Sequence, residues 1–288
     1  MIPDSLRHHI QQTLDQEIVS AQRVSGGSIN EAGKLTLSDG SEYFLKWNTT
    51  ADPDMFTKEE KGLSLLKSAN TGLRIPEVLV TGQTDSTGFL IQEFIIEGEK
   101  HSQSAIKFGQ ALANLHQQRA RKFGLDHHNY IGRLPQSNTR HEDWISFFIN
   151  ERMKPQLQMA IDTGKLSSSV ATHFKSMYNK LPNIFPDEEP SLLHGDLWGG
   201  NYFYDDSGQA TIYDPAVYYG HREMELAFTH LFGGFSSRFY KAYKDVHPIE
   251  PEFDQRKDIY NLYPLLVHTN LFGGHYARQV ETIAKQFL

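Results

Sequence analysis

Residues 192–201 read Leu-Leu-His-Gly-Asp-Leu-Trp-Gly-Gly-Asn, and the polar members of this run have the types and spacing of a phosphotransfer loop. Asp196 to Asn201 is a D-x-x-x-x-N interval. In kinase catalytic loops, the Asp of that interval receives the proton of the attacking hydroxyl and the Asn holds a Mg²⁺. Further on, Ile212-Tyr213-Asp214-Pro215-Ala216 ends a short apolar run on an acidic residue placed to hold the same metal. Lys46 closes another apolar run and can pair with the α/β-phosphates of ATP. An acidic residue of the following segment, Glu59 or Glu60, can fix its ammonium. Gly26-Gly27-Ser28 lets backbone N–H groups approach phosphate without a Cβ in the way. Phosphoryl transfer asks for held phosphates, neutralised metal-bridged oxygens and an acceptor hydroxyl aimed in line. Taken singly, each residue has a plainer explanation. Lys46 is a solvated edge-strand lysine, Gly-Gly-Ser a turn, Asp196 an Asx turn, and Asp214-Pro215 a turn opener. Jointly these explanations fail, because all the groups fall in the chain order that ATP·Mg²⁺ chemistry needs.

The elements that must position these groups follow from periodicity. Leu192-Leu193 and Tyr202–Tyr204 read as two strands joined by the loop at one edge of a sheet. Leu6, Ile10, Leu14 and Ile18 recur every four residues and predict a helix over 5–18, capped by Asp4 or Ser5. Leu35 and Leu37 alternate with polar residues, Asp39-Gly40 turns the chain, and 42–47 returns as a strand. On that strand Phe44 and Lys46 share a face opposite Tyr43, Leu45 and Trp47. A helix over 56–69 brings Glu59 one turn before Leu63, with Glu60 as its competitor. Val78–Val80 and Phe89–Ile91 are short strands, and the second runs into the polar connector 93–97. The pattern predicts an α+β, two-lobed fold: an antiparallel-sheet lobe over 1–95 with a hinge at 93–97, and a mainly helical lobe over 98–288. Helices are expected at 103–119, 142–163, 167–181, 222–232 and 252–287, with Pro155 kinking or splitting the second. Residues 123–140 look loop-like.

Composition narrows the partners. The 288 residues are 39% hydrophobic and 22% charged, an ordinary globular balance. A net charge of −7 argues against nucleic acid, while a few cations and backbone amides suffice for a triphosphate. The absence of cysteine removes disulfides, thiolate nucleophiles and Cys-ligated zinc. His127-His128 and His8-His9 are adjacent pairs without zinc-ligand spacing. No signal-peptide profile and no run of ~20 apolar residues is present, so a cytoplasmic location and no membrane partner are expected. His194 is expected to pack and hydrogen-bond the catalytic segment. Trp198, flanked by glycines, either packs the lobe or lines an acceptor pocket, where its face can stack on a sugar. Gly195 stands where protein kinases carry an Arg that reads an activation-loop phosphate, and there is no A-P-E stretch. A small-molecule hydroxyl acceptor is therefore expected.

The run His194-Gly195-Asp196-Leu197-Trp198-Gly199-Gly200-Asn201 resembles the H-G-D-L-W-S-G-N signature of the fructosamine-3-kinase (ketosamine kinase) family. Asn129-Tyr130-Ile131-Gly132, Pro135-Gln136-Ser137-Asn138, Asp214-Pro215-Ala216, Glu223 to Ala227 and Phe232–Phe235 match as well, so the likeness covers essentially the whole chain. The H-G-D triplet is shared with aminoglycoside and choline kinases; the longer signature is more specific. The resemblance implies a protein-kinase-like fold and ATP-dependent phosphorylation of the 3-hydroxyl of amine- or protein-bound ketosamines. The product sheds its sugar, which amounts to deglycation. By position it makes Asp196 the base, Asn201 and Asp214 the metal ligands, and Lys46 and Glu59 the phosphate-orienting pair. The family's F-E-G-E pattern falls on Phe56-Thr57-Lys58-Glu59 and favours Glu59 over Glu60. Glu93, Phe94 and Ile95 would meet adenine through their backbone, and His268 falls near the acceptor pocket. Gly199 departs from the usual Ser. The partners implied are ATP and a ketosamine, with the chain a monomer or weak homodimer. The alternatives are another small-molecule kinase of the aminoglycoside or choline type, or a non-catalytic kinase-like binding protein.

Overall fold

The computed structural model describes residues 2–24, 29–50, 52–84 and 87–287. Helix α1 (Asp4–Leu14) buries Leu6 and Ile10. It stops earlier than its periodicity predicts, because Asp15 turns left-handed at φ 51 and its N–H returns to the Gln11 carbonyl. Ile18 therefore opens strand β1 (Ile18–Arg23). Neither Asp4 nor Ser5 caps the helix; Pro3 precedes its first turn and no side chain bonds there. Strands β2 (Glu31–Leu37) and β3 (Glu42–Asn48) turn at Gly40, where φ is 86. After helix α2 (Met55–Ser68) come β4 (Val78–Thr84) and β5 (Thr87–Glu93). The five strands form one antiparallel sheet in the order β1-β2-β3-β5-β4. Leu6, Ile10, Leu35, Leu45, Phe89 and Ile91 pack into a core on its helix-α1 face.

The larger core belongs to the rest of the chain. It is built from α3 (Ser104–His116), β6 (Asn129–Ile131), β7 (Leu134–Gln136), α4 (Trp144–Phe147), α5 (Lys154–Asp162) and α6 (Val170–Lys180). There follow β8 (Ser191–Leu193), β9 (Tyr202–Tyr204), β10 (Ala210–Ile212), β11 (Tyr218–Gly220), α7 (Arg222–Leu231), α8 (Ser237–Val246), α9 (Phe253–Phe272) and α10 (His275–Lys285). Leu63 and Leu66 of α2 join this core, so α2 straddles the two halves. The chain also stitches them at Arg74, whose backbone bonds Ala210 and Ile212 at 2.9 and 3.1 Å.

Three expectations change. A π-helical turn at Phe148–Met153 joins α4 to α5, and Pro155 falls in the first turn of α5, where its missing N–H is not needed. Residues 129–136 form a small hairpin rather than loop, since Gly132 takes φ 57 at the turn. The apolar run over 252–287 is two helices, because Gly273 and Gly274 take φ 68 and 65 and break it. Helix α8, capped by Ser236 on the Phe239 N–H, was not anticipated.

Candidate active site

Strand β3 lies between β2 and β5, which places Lys46 opposite Ala32 and Leu90 in the middle of the sheet. Lys46 is buried, not a solvated edge lysine. Its Nζ lies 2.5 Å from Glu59 Oε1 and also contacts the Asp214 carboxylate. Glu60 points elsewhere and accepts from Thr81 Oγ1 at 2.8 Å, so the choice between the two glutamates falls on Glu59. Burial pulls the Lys46 ammonium toward neutrality, but the charges of Asp214 and Glu59 outweigh it and raise its pKa. Burial pushes the Glu59 carboxyl up, with Lys46 opposing.

The two strands beside the loop do not pair with each other. Strand β8 pairs with β11 and β9 with β10. The loop bonds instead to the segment carrying Asp214: Tyr213 N–H donates to Asn201 O at 3.2 Å and Ala216 N–H to His194 O at 2.9 Å. His194 is buried, donates from Nε2 to Tyr213 O at 2.9 Å and accepts the Asp196 N–H on Nδ1 at 3.3 Å. Burial holds its pKa below the ordinary histidine value, consistent with a neutral ring in a bracing role. Gly195 turns at φ +85, and a Cβ there would stand 2.0 Å from the Ala216 carbonyl oxygen.

One positioning residue escaped the sequence reading. Glu225 on α7 accepts the backbone N–H groups of His194 and Gly195 at 3.1 and 2.7 Å. His116 Nε2 braces it at 2.9 Å and in turn bonds Tyr243 through Nδ1 at 2.7 Å. Burial pushes the Glu225 carboxyl up, but these hydrogen bonds and charges outweigh it and hold it low. A carboxylate set among Met224, Leu226 and Ala227, all buried, was the available signal.

Asn201 Nδ2 donates to Asp196 Oδ2 at 3.0 Å and to the Asp196 carbonyl at 2.8 Å. Both bonds use Nδ2 and leave Oδ1 available as a ligand, with no donor to it among the described residues. Burial, and then the charge of Asp214, push the Asp196 carboxyl well above its ordinary value, with Asn201 pulling the other way. Asp214 itself sits at φ 57, a left-handed conformation that aspartate tolerates better than most residues. Asn201 Oδ1 and the Asp214 carboxylate are hard oxygen donors and fit Mg²⁺. Among the described residues no group of three or more His, Asp or Glu could cage a metal.

A cleft of about 1010 Å³ gathers Lys46, Glu59, Glu93, Phe94, Ile95, Asp196, Trp198, Asn201, Asp214 and His268. Gly26, Gly27 and Ser28 lie outside the described residues. Trp198 lines the cleft and meets Phe232 edge-on at 5.9 Å. His268 Nδ1–H donates to Pro264 O at 2.7 Å, and burial lowers its pKa, leaving Nε2 an acceptor. Its ring lies 4.9 Å from those of Phe232 and Tyr276. At the other end, Gln92 pairs opposite Phe44 on the Lys46 face, and its buried Oε1 meets no donor among the described residues. The Glu93 side chain turns to Arg74 at 2.5 Å, leaving the connector to contribute backbone.

A lysine–glutamate pair from sheet and helix, a D-x-x-x-x-N loop and a following aspartate, all facing one cleft, define a kinase-like phosphotransferase. The fold agrees: a macrolide 2′-phosphotransferase from Brachybacterium faecium superposes with a TM-score of 0.60 over 98% of both chains, at 13% identity. The description Fructosamine kinase matches residues 1–288, and the chain belongs to that family. It is 40% identical to a probable ketoamine kinase of Vibrio parahaemolyticus over 93% of this chain and 92% of that one. It is 36% identical to a chloroplastic protein-ribulosamine 3-kinase of Arabidopsis thaliana, over 94% of this chain and 83% of that one. A solved structure assigned as a fructosamine-3-kinase, from Haemophilus somnus 129PT, superposes with a TM-score of 0.89 at 28% identity, covering 99% and 97% of the two chains.

Proposed function

We propose that the protein is an ATP- and Mg²⁺-dependent ketosamine kinase that phosphorylates the sugar 3-hydroxyl of an amine-bound or protein-bound ketosamine. The phosphorylated adduct then sheds its sugar, so the reaction serves deglycation. The observation that carries this reading is the bond between Asn201 and Asp196 beside the Lys46–Asp214 contact, within a cleft whose far wall is Trp198, Phe232, His268 and Tyr276.

In this reading the lobe of residues 1–95 and the lobe of 98–288 meet at a hinge over 93–97. The connector backbone at Glu93, Phe94 and Ile95 receives adenine, and Gln92 Oε1 offers an acceptor beside it. Lys46, braced by Glu59, holds the α/β-phosphates. Asn201 and Asp214 would hold Mg²⁺, which would supply positive charge to neutralise the phosphate oxygens. Asp196 takes the proton as the acceptor oxygen bonds to the γ-phosphorus and the bond to ADP breaks. Its raised pKa makes it a stronger base, provided it is ionised. Trp198 stacks on the sugar and neutral His268 accepts a sugar hydroxyl through Nε2.

A panel of ribulosamine, erythrulosamine and fructosamine adducts, with kanamycin and choline, tests this by mass shift and NMR position of the phosphate. The expected result is a phosphate on the 3-oxygen of at least one ketosamine. Transfer to kanamycin or choline alone would make the protein another small-molecule kinase. ATP binding without consumption on any acceptor would make it a binding module.

A further inference from the structure

Two stretches that the catalytic reading leaves idle, Asn129 to Gly132 and Pro135 to Asn138, converge behind Asp214. Gln136 and Asn138 are fully buried and Asn129 nearly so. Asn129 Nδ2 donates to the Val217 carbonyl at 2.9 Å, and Gln136 Nε2 to the Ala216 carbonyl at 3.0 Å. Two successive carbonyls just after Asp214 are thus held by two side-chain amides from one hairpin. The amides are locked against flipping. Asn129 Oδ1 accepts from Gln136 at 2.8 Å and from Asn138 Nδ2 at 2.8 Å. Gln136 Oε1 accepts from the Tyr263 hydroxyl at 2.6 Å. Asn138 Oδ1 accepts from Arg152 at 2.7 Å. That guanidinium lies 3.9 Å from the Tyr218 ring. Reversing either amide would set carbonyl against carbonyl in a buried site, where an unmade bond costs most. A hairpin of three-residue strands needs no such lattice to close its turn; the lattice points outward, at the Asp214 segment.

We propose that Asn129 and Gln136 are positioning residues that fix the aim of the Asp214 carboxylate by gripping the carbonyls of Ala216 and Val217. Tyr263, on the helix that also carries His268, sets the direction of the Gln136 amide. The acceptor wall and the metal-side segment therefore share one joint. The inference rests on the metal-ligand reading of Asp214, and its test separates the two.

The experiment compares wild type with Gln136→Met, Tyr263→Phe and Asp214→Asn. Hydrogen–deuterium exchange of peptides spanning 213–218 is measured without nucleotide, and turnover is titrated with Mg²⁺ at fixed ATP and acceptor. Outer-shell partners of metal ligands typically contribute ~10–100-fold in metal affinity or activity. Gln136→Met should speed exchange at 213–218 and raise the Mg²⁺ needed for half-maximal turnover by about tenfold, with the acceptor KM little changed. Tyr263→Phe, which removes one hydroxyl and keeps the packing, should shift both readouts the same way by less. Unchanged exchange in both variants overturns the grip. Faster exchange with an unchanged Mg²⁺ requirement overturns the positioning role. If Asp214→Asn leaves the Mg²⁺ requirement intact, the metal-ligand reading fails, and with it the purpose assigned to the grip.

Discussion

Asp196 is a half-buried carboxylate on the cleft wall whose side-chain hydrogen-bond donor is an amide and not a cation, and whose nearest charge influence is another carboxylate. Such a group is costly to keep ionised unless its task needs a base. Asp196→Asn preserves shape and removes the proton acceptor. Turnover on a ketosamine should fall by at least ~10²-fold while ATP binding, measured by calorimetry, is kept. Near-normal turnover would remove Asp196 from the role of base. The two neighbouring glutamates give a sharper comparison, because only Glu59 touches Lys46. Hydrogen bonds to charged groups contribute ~1.5–3 kcal/mol, so Glu59→Gln should weaken ATP use by roughly tenfold or more. Glu60→Gln, measured in parallel, should stay close to wild type. Equal losses in both would mean that the Lys46 pair is not what orients the phosphates.

At the scale of elements, the loop and the segment after β10 are built as one piece. Gly195 is required twice, by its φ of +85 and by the 2.0 Å that a Cβ would leave to the Ala216 oxygen. Gly195→Ala should destabilise the fold by at least ~1 kcal/mol, the scale of a left-handed residue with a Cβ. Its melting temperature and turnover should fall together; a fully stable variant would show that the segment yields freely. The sequence made this chemistry legible because Asp196, Asn201 and Asp214 are close in the chain and their spacing is short-range information. Strand periodicity placed Lys46 and helix periodicity left Glu59 and Glu60 in competition, with the family pattern favouring Glu59; burial of Lys46 could not follow from alternation, since it depends on β5 pairing beside β3. Glu225 was missed for the same reason. It reaches the loop through tertiary packing, which helical periodicity does not show. The partners of β8 and β9 were not legible, because each lies further along the chain, beyond Asp214 for β8 and across a small ladder for β9. Helix ends failed where single residues turned left-handed, at Asp15, Gly273 and Gly274.

For the whole molecule, the buried histidines set the response to acid. His116, His194 and His221 are buried, and burial holds the pKa of each below the ordinary value of 6.5. In the unfolded chain they take up protons near that ordinary value. Below about pH 6.5 the unfolded state therefore binds more protons, and stability falls as pH drops, by up to about 1.4 kcal/mol per pH unit for each histidine. The loss continues until the folded-state pKa values are passed. The melting temperature should decline from about pH 7 to about pH 5, less steeply than the histidines alone would give, because Asp196 and Glu59, with raised carboxyl pKa values, favour the fold as pH falls. A flat profile in an Asp196→Asn, Glu59→Gln background would mean these rings are already charged in the fold. The contact between Gly195 and the Ala216 oxygen also bears on descent. In this chain a phosphate-reading arginine at position 195 cannot arrive by one substitution, because the Ala216 segment would have to retreat at the same time, and Asn129 and Gln136 hold its far side.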